Sequence, residues 1–266
     1  MLLREVEYVR PGSIAEALEA LASHEGARAL AGGQTLVNVM KARAASPDVL
    51  VDLNDLDELR TIERGEDGAL RIGAMVTYAQ LMRDASIAAA RPILAEVAAQ
   101  IADVQVRNRG TIGGNVCSSD PTNHFPPLAA AQGWRLHVQG AGGDRDVAPK
   151  DFFLGVYFTA VGPGDLLTAI TVPSGGSDGF ASITLGADGT CIANAAVQVR
   201  DGEARVALGC VGATPVVVTA PAEEGAVREA VGGAELDPPS DVHASGGYRR
   251  HLAEICALRA LRQAAS

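Results

Sequence analysis

Two short glycine-rich segments are the residues of this sequence best suited to chemistry. Each has two adjacent glycines with a threonine and an amide residue close by, and they are Ala31-Gly32-Gly33-Gln34-Thr35 and Thr111-Ile112-Gly113-Gly114-Asn115. Glycine adopts positive φ readily and has no Cβ to keep a phosphate away from backbone N–H donors. Two such turns, each after a predicted strand or helix end, indicate two separate backbone cradles for one diphosphate. The pairing therefore favours a dinucleotide or a flavin nucleotide over a single phosphate.

The cysteines and most of the histidines form no pattern that predicts catalysis or metal binding. Cys117, Cys191, Cys210 and Cys256 are widely spaced without a CxxC motif, which argues against a zinc site or an iron–sulfur cluster in this chain. Cys117 adjoins the second glycine segment, and we expect a small buried residue there, because free cysteine is usually part of a core. Four histidines are expected to be structural or solvated: His24, His137, His243 and His251.

The composition is ordinary for a soluble globular protein of 266 residues, with 47% hydrophobic and 20% charged residues. The 22 Lys and Arg residues against 32 Asp and Glu residues give a net charge of -10, which argues against nucleic acid as a partner. Arg4, Glu5 and Glu7 lie where a secretory peptide would need an apolar stretch, and no apolar run is long enough to span a bilayer. We therefore expect a cytoplasmic protein without a transmembrane segment.

The elements before the first glycine segment predict a small β-α-β unit. A strand covers Val6 to Val9, and a helix begins after Ser13, with Glu16 completing a capping box. A short buried strand from Ala27 to Leu30 enters the glycine segment. A second strand covers Pro47 to Leu53.

Between the two glycine segments the pattern predicts a strand from Leu70 to Val76 and a helix through Tyr78 and Met82. A helix from Pro92 to Ala102 then leads to the second segment. Beyond that segment, strands are predicted from Arg135 to Gln139 and from Leu166 to Val172.

The last ninety or so residues predict a separate sheet with helices. Pro173 to Ser177 is the best linker candidate, and Asp201-Gly202 predicts a tight hairpin turn. The strands that flank this turn are Ala193 to Val199 and Arg205 to Leu208, and the helices are Ala222 to Val231 and Gly247 to Gln263.

Seven motifs follow one another along nearly the whole chain: YVRPGSIAEALEAL, AGGQTLVNVMKAR, VDLNDLDEL, RIGAMVTYAQL, VRNRGTIGGN, DFFLGVYFTAVGPGDLLTAITVP and YRRHLAEICALRAL. In order and spacing they resemble the flavin-binding medium subunit of molybdenum hydroxylases. That group includes the flavin subunit of aerobic carbon monoxide dehydrogenases and the central flavin domain of xanthine dehydrogenases. One glycine pair alone is common in ordinary loops.

The resemblance implies an α+β fold in which two subdomains of the PCMH type hold FAD between them. A C-terminal domain of antiparallel sheet and helices follows. We expect the N-terminal FAD-binding subdomain at 1–55, the second FAD-binding subdomain at 56–174 and the C-terminal α+β domain at 175–266.

The resemblance also implies a set of FAD-binding residues. We expect the backbone donors and threonine hydroxyls of both glycine segments to share the charge of the diphosphate. Ile101 is matched to a position near the flavin ring or is a core residue at a helix end, and Leu167 lies near the cofactor or is strand core. Tyr157 packs near the flavin or fills the core. The residues matched in the glycine segments are Leu30, Ala31, Gly32, Gly33, Gln34, Thr35, Leu36, Val37, Thr111, Gly113, Gly114 and Asn115.

The chain departs from the family pattern at two places. His124 stands where relatives commonly have an Asp that binds the nucleotide portion of FAD, so Asp120, Asn123 or His124 is expected to make that contact. Relatives commonly carry a Lys or Arg near the position of Thr184, and Ser182 to Gly189 contains none. A cation near the flavin would stabilise its reduced anionic form and raise its potential.

The function implied by the resemblance is electron transfer. We expect no catalytic residue and no metal ligand in this chain. FAD would receive electrons from the 2Fe-2S clusters of a small subunit after a large subunit oxidises the organic substrate at a molybdenum cofactor. It would pass them to an external acceptor such as a quinone, oxygen or NAD. The resemblance further implies a hetero-oligomer, expected to be a dimer of three-subunit units.

Two other functions remain open at this point. One is a stand-alone flavin oxidoreductase of the same FAD-binding superfamily. The other is a non-catalytic assembly protein whose cofactor site has degenerated.

Overall fold

The computed structural model describes residues 3–186 and 189–266. In this part of the chain an α+β fold is built from a three-stranded, a five-stranded and a four-stranded sheet, with one two-stranded ribbon. This agrees with the predicted fold class. The predicted boundaries at residues 55 and 174 stay a proposal.

The first unit is a parallel β-α-β arrangement, as predicted. Its strands pair in the order β1-β3-β2, and all four residues of the central strand are buried. Both β2 and β3 end at the same edge of the sheet, where the first glycine segment leaves β2. The elements are β1 (Glu7–Val9), α1 (Ile14–Ser23), β2 (Arg28–Leu30), α2 (Leu36–Lys41) and β3 (Val49–Asp52).

The predicted capping box of α1 is half correct. The Ser13 side chain accepts a hydrogen bond from the Glu16 N–H, as expected for an N-cap. The Glu16 carboxylate, however, accepts from the N–H of Gly12 at 2.8 Å rather than from Ser13. Strand β2 also differs from its prediction, because its residues are exposed or half-buried.

The second unit is an antiparallel five-stranded sheet covered by helices. Its strand order is β4-β5-β10-β6-β7, and its core includes the fully buried side chains of Trp134, Phe125 and Phe152. A short 3-10 helix (Asp57–Arg60) precedes it. The elements are β4 (Ile62–Arg64), β5 (Leu70–Gly73), α3 (Tyr78–Leu81), α4 (Ala85–Ala90), α5 (Pro92–Ala99), α6 (Val104–Arg109), α7 (Ile112–Ser118), α8 (Phe125–Gln132), β6 (Arg135–Gln139), β7 (Arg145–Val147), α9 (Pro149–Phe152), β8 (Phe153–Gly155), β9 (Phe158–Thr159) and β10 (Leu166–Val172).

The approach to the second glycine segment differs from the prediction. Helix α5 ends at Ala99, because Ala102 adopts a left-handed conformation (φ 43°) and Asp103 then caps the new helix α6. The segment itself is the first turn of helix α7, capped by the Thr111 side chain, and is not a loop turn. Strand β5 is also shorter than predicted and ends at Gly73.

The C-terminal unit is an antiparallel sheet in sequential order with a long helix packed on it. The predicted hairpin turn is confirmed: Asp201 and Gly202 both have positive φ, at 52° and 80°, as a type I′ turn requires. The elements are β11 (Ser177–Thr184), β12 (Cys191–Arg200), β13 (Glu203–Gly209), β14 (Val216–Pro221), α10 (Glu224–Gly232) and α11 (Gly246–Ala264).

The segment predicted to be a linker is bound closely to the second unit. Arg91 donates to the carbonyl oxygens of Pro173 and Gly175 and forms a 2.5 Å ion pair with Asp178. The Ser174 hydroxyl donates to the Asp67 carbonyl at 2.7 Å. The C-terminal sheet is therefore fixed to the unit before it.

Among the helices of residues 3–186 and 189–266, none combines the length and the apolar character that crossing a bilayer requires.

The Arg91 contact generates a stability prediction. The side chains of Arg91 and Asp178 are only 3% and 8% exposed. Arg91→Ala therefore leaves two carbonyls without this donor and a buried carboxylate without its cation, with only the 3.4 Å hydrogen bond from Gln198 remaining to that carboxylate. We expect a loss of about 3–5 kcal/mol in the free energy of urea unfolding. Arg262→Ala removes the exposed pair with Glu224 and should lower the free energy of unfolding far less, because solvent screens an exposed pair. Equal losses in the two variants would contradict this account.

Candidate functional site

The first glycine segment presents a row of unused backbone donors. In the described structure, the N–H groups of Gly32, Gly33, Gln34 and Thr35 make no hydrogen bond within the chain. The segment lies between the end of β2 and the start of α2, and Gly33 has φ 72°, a conformation that favours glycine. Thr35 is exposed, and its hydroxyl makes no capping bond to α2. The segment therefore offers four N–H groups and one hydroxyl to a ligand.

Gly32 brings the two glycine segments together. A Cβ at Gly32 would lie 2.1 Å from the carbonyl oxygen of Arg109, the last residue of α6. Across the same contact, a Cβ at Gly114 would lie 3.9 Å from the Cβ of Ala31. The two segments predicted to hold one diphosphate are thus neighbours in space.

The second segment uses its backbone donors within the chain. Gly113 N–H donates to the Ala74 carbonyl at 2.9 Å, Gly114 N–H to Thr111 Oγ1 at 3.0 Å, and Asn115 N–H to the Thr111 carbonyl at 3.0 Å. These three N–H groups are therefore already paired within the chain, and their share in binding the diphosphate stays a prediction. The Thr111 hydroxyl still has its own proton to donate, since it acts only as an acceptor to Gly114.

Asn115 supplies an unpaired acceptor beside this segment. Its side chain is 6% exposed, and its Nδ2 donates to the hydroxyl of Tyr78 at 3.0 Å. Its Oδ1 has no hydrogen-bond partner among the described residues. Burial raises the pKa of Tyr78 to about 12, so this phenol is neutral at physiological pH. A buried acceptor without a donor is costly, and a ligand hydroxyl or N–H would satisfy it.

These groups fit the cofactor that the resemblance implies. FAD carries a diphosphate, which four free N–H groups and two threonine hydroxyls can bind, and its hydroxyls can donate to Asn115 Oδ1. Gly32 and Gly113 cannot accept a Cβ, because the backbones of Arg109 and Ala74 pack directly against them. The assignment of individual contacts stays a proposal.

Asp120 and Asn123 are already engaged in local hydrogen bonds. Asp120 Oδ1 accepts from the N–H and the hydroxyl of Thr122, and its Oδ2 accepts from the Tyr157 hydroxyl at 3.2 Å. Asn123 Nδ2 donates to the Asn115 carbonyl at 3.0 Å and to Ser118 Oγ at 2.8 Å. Of the two, Asp120 has the better acceptor for a ribose hydroxyl, because a carboxylate accepts several hydrogen bonds.

His124 lies in the protein interior. It is 5% exposed, its ring centroid is 5.2 Å from that of Phe180, and its Nε2 has no partner among the described residues. Burial lowers the pKa of His124 to about 4, so the imidazole is neutral at physiological pH. Its predicted contact with FAD stays a prediction, and a neutral ring with one unpaired nitrogen is what the structure offers for it.

The apolar candidates have different surroundings. Leu167 is 3% exposed within β10, which favours its interpretation as strand core. Ile101 is half-buried against the core of the second unit, and its carbonyl accepts from Arg107 at 3.0 Å. Tyr157 is 65% exposed with φ 55°, so it does not fill the core. Leu30, Leu36 and Val37 are half-buried around the first segment.

The surroundings of Cys117 and Thr184 bear on whether either residue tunes the redox potential of the flavin. Cys117 packs against the core, and burial raises the pKa of its thiol to about 12, as expected for a structural cysteine. The Thr184 hydroxyl donates to the Gly186 carbonyl at 2.7 Å, at an irregularity of strand β11. Ala187 and Asp188 of the same stretch lie outside the described residues.

Two side chains that the motifs did not single out, those of Asn54 and Arg60, support the first segment. Asn54 Nδ2 donates to the Ala31 carbonyl at 3.1 Å, and Arg60 donates to Asn54. Both residues lie in or next to the motif VDLNDLDEL, so a signal was present. The contacts of Asn54 with Ala31 and of Arg60 with Met75 join residues distant in sequence, so no local pattern predicts them.

The chain is similar in sequence and in structure to proteins of one known family. Residues 4–175 match the family described as the FAD binding domain in molybdopterin dehydrogenase. The carbon monoxide dehydrogenase medium chain of Afipia carboxidovorans is 45% identical over 175 residues, which are 65% of this chain and 60% of that relative. The glyceraldehyde dehydrogenase medium chain of Sulfolobus acidocaldarius is 30% identical over 98% of this chain and 99% of that relative. A chain of the reconstituted CO dehydrogenase from Oligotropha carboxidovorans superposes with a TM-score of 0.94 at 35% identity, covering 99% of both chains.

Gly32 is the position where a small change should disrupt the site most. In Gly32→Ala the new Cβ collides with the Arg109 carbonyl, so the two segments must move apart. We expect the affinity for FAD, measured by quenching of flavin fluorescence, to fall more than about 10-fold. Gly225→Ala is the matched control, because a Cβ at that helical glycine meets nothing within 4 Å. Unchanged affinity in Gly32→Ala would count against the proposed site.

The burial of His124 predicts a dependence of stability on pH. Its folded pKa of about 4 lies below the ordinary 6.5, so below pH 6.5 the unfolded chain binds a proton that the folded chain does not. The free energy of unfolding should therefore fall as the pH falls, by about 2 kcal/mol from this residue between about pH 7 and about pH 5. Urea unfolding of His124→Gln should show a shallower fall than the unsubstituted protein. Parallel pH profiles would refute the assignment.

Proposed function

Because the chain belongs to the family of FAD-binding domains of molybdopterin dehydrogenases, we propose that it works as the FAD-binding medium subunit of a multi-subunit molybdenum hydroxylase. The observation that carries this proposal is the contact between the two glycine segments. It brings the segment that carries four unused N–H groups next to the N-terminal turn of α7.

In this function the chain's own residues bind and orient the cofactor. The N–H groups of Gly32 to Thr35 and the hydroxyls of Thr35 and Thr111 hold the diphosphate. Asn115 Oδ1 accepts a hydrogen bond from the cofactor, and Asp120 accepts from the nucleotide portion. Ile101 lies near the flavin ring. Bound FAD supplies a carrier that can accept electrons singly and release them in pairs.

The absence of a cation in the sequence around Thr184 bears on the flavin's potential. Without a positive side chain there, reduced anionic flavin would be less stabilised and its potential lower. Tuning would then rest on backbone dipoles rather than on a side chain.

The partners in this function are two other polypeptides. A small subunit with 2Fe-2S clusters delivers electrons, and a large subunit with the molybdenum cofactor oxidises the organic substrate. An external acceptor, such as a quinone, oxygen or NAD, receives the electrons. The relatives that support this arrangement are themselves medium chains of dehydrogenases, and the assembly we expect is a cytoplasmic dimer of heterotrimers.

The other two candidate functions have less support. A stand-alone flavoenzyme is disfavoured because the relatives of similar length are medium chains or subunits of complexes. A degenerate assembly protein is disfavoured because the donors of the first segment and the buried Oδ1 of Asn115 are left without partners among the described residues.

The function predicts a split between cofactor binding and turnover. We expect the purified chain to bind one FAD and to be reduced by dithionite. It should not be reduced by carbon monoxide or glyceraldehyde, the compounds named for its relatives. Purified together with the products of neighbouring reading frames, the complex should contain molybdenum and iron. Turnover of an organic substrate by the isolated chain would refute the subunit function, and failure to bind FAD would favour the degenerate site.

A further inference from the structure

We propose that Asn54 is a positioning residue that sets the separation of the two glycine segments, together with Arg60. The inference rests on the proposed function, because it concerns how the FAD site is held open. It concerns residues that do not themselves contact the diphosphate.

Asn54 contacts the first glycine segment directly. Its Nδ2 donates to the Ala31 carbonyl at 3.1 Å, on the residue before Gly32. The neighbouring strands add a second tie, since the Leu53 N–H donates to the Leu30 carbonyl at 3.0 Å. The carbonyl groups at the start of the segment are therefore turned toward β3 and Asn54. The N–H groups that follow are left free.

The charges on either side of Asn54 fix the orientation of its amide. Asp52 Oδ1 accepts from the Asn54 N–H at 2.9 Å and from Nδ2 at 2.5 Å, whereas Arg60 Nη2 donates to Asn54 Oδ1 at 3.2 Å. Tyr8 also donates to the Asp52 carboxylate. Burial would raise the pKa of Asp52, but the hydrogen bonds from Tyr8 and Asn54 outweigh it and hold the pKa below its usual value. With an anion at its nitrogen and a cation at its oxygen, the amide has one favourable orientation.

Arg60 extends this contact to the second segment. Its Nη2 also donates to the Asn54 backbone carbonyl at 3.2 Å, and its Nη1 donates to the Met75 carbonyl at 3.3 Å. Met75 follows Ala74, whose carbonyl accepts the Gly113 N–H at 2.9 Å.

The contacts close into a ring. Gly114, next to Gly113, faces Ala31, which is the residue that Asn54 holds. The chain of contacts therefore runs from Ala31 through Asn54, Arg60 and Met75 to the second segment. It returns to Ala31 through Gly114. A change in any link alters the gap between the segments. Holding such a gap in the free protein lowers the cost of binding, because less of the chain must be ordered by the ligand.

The first test compares FAD affinity in three variants. Asn54→Ala removes the donor to Ala31, and Asn54→Asp keeps an acceptor for Arg60 but also lacks that donor. Both should weaken FAD binding by up to about 10-fold, the loss expected for one part-buried hydrogen bond. Asn108→Ala is the control, because the Asn108 amide donates to the Val104 carbonyl of its own helix at 2.7 Å. FAD affinity in this control should stay within about twofold of the unsubstituted chain.

The second test separates positioning from simple loss of stability. FAD affinity and urea unfolding of the apo chain are measured for Asn54→Ala, Arg60→Ala and the double variant. If the two side chains act as one unit, the double variant loses less FAD affinity than the product of the two single losses. The visible circular dichroism of bound flavin should change in the same way in both single variants. Arg60→Lys, which can reach fewer of the three acceptors, replaces any variant that fails to fold.

The results separate a failure of the positioning role from a failure of the proposed function. If the unsubstituted chain binds no FAD, the proposed function fails. If it binds FAD and Asn54→Ala binds equally well, or if the losses multiply independently, the positioning role of Asn54 and Arg60 is wrong. A weakened, non-additive set with an unaffected Asn108→Ala supports it.

Discussion

The rest of the site depends on the close approach of Gly32 to the Arg109 carbonyl. A Cβ at position 32 would lie 2.1 Å from that oxygen, so only glycine permits the approach. The two glycine segments become neighbours through this contact. The parallel sheet delivers the first segment to this point, and helix α6 delivers the second. Asn54 and Arg60 then hold the spacing from the other side. The proposed diphosphate site therefore lies between two units, each of which carries only part of it.

The two segments contribute differently, although their sequences resemble each other. The first keeps four N–H groups free, and in the proposed site these supply the hydrogen bonds to the diphosphate. The second commits its N–H groups to Ala74 and Thr111, which makes it a rigid helix start. What it can offer to the proposed site is the Thr111 hydroxyl and the positive end of α7. No lysine or arginine is needed at the diphosphate when backbone donors and a helix end provide the favourable field.

The sequence predicted the parts of this structure that depend on local pattern and motif order. Strands β6 and β10 have the predicted bounds, and the Asp201-Gly202 turn follows from the residues that positive φ favours. The second glycine segment begins a helix where the sequence predicts a turn. Two adjacent glycines disfavour a helix, but the Thr111 cap and tertiary packing favour one at this position. The roles of Asn54 and Arg60 and the burial of His124 depend on partners distant in sequence. No local pattern specifies such partners.

The central claim is that the first segment, and not the second, supplies the backbone donors for FAD. Amide hydrogen exchange of the chain with and without FAD tests this directly, because each N–H reports its own hydrogen bonding. The account predicts that FAD slows exchange at Gly32 to Thr35 by more than about 10-fold, whereas Gly113 to Asn115 are already protected without it. New protection at Gly113 to Asn115 with none at Gly32 to Thr35 would contradict it.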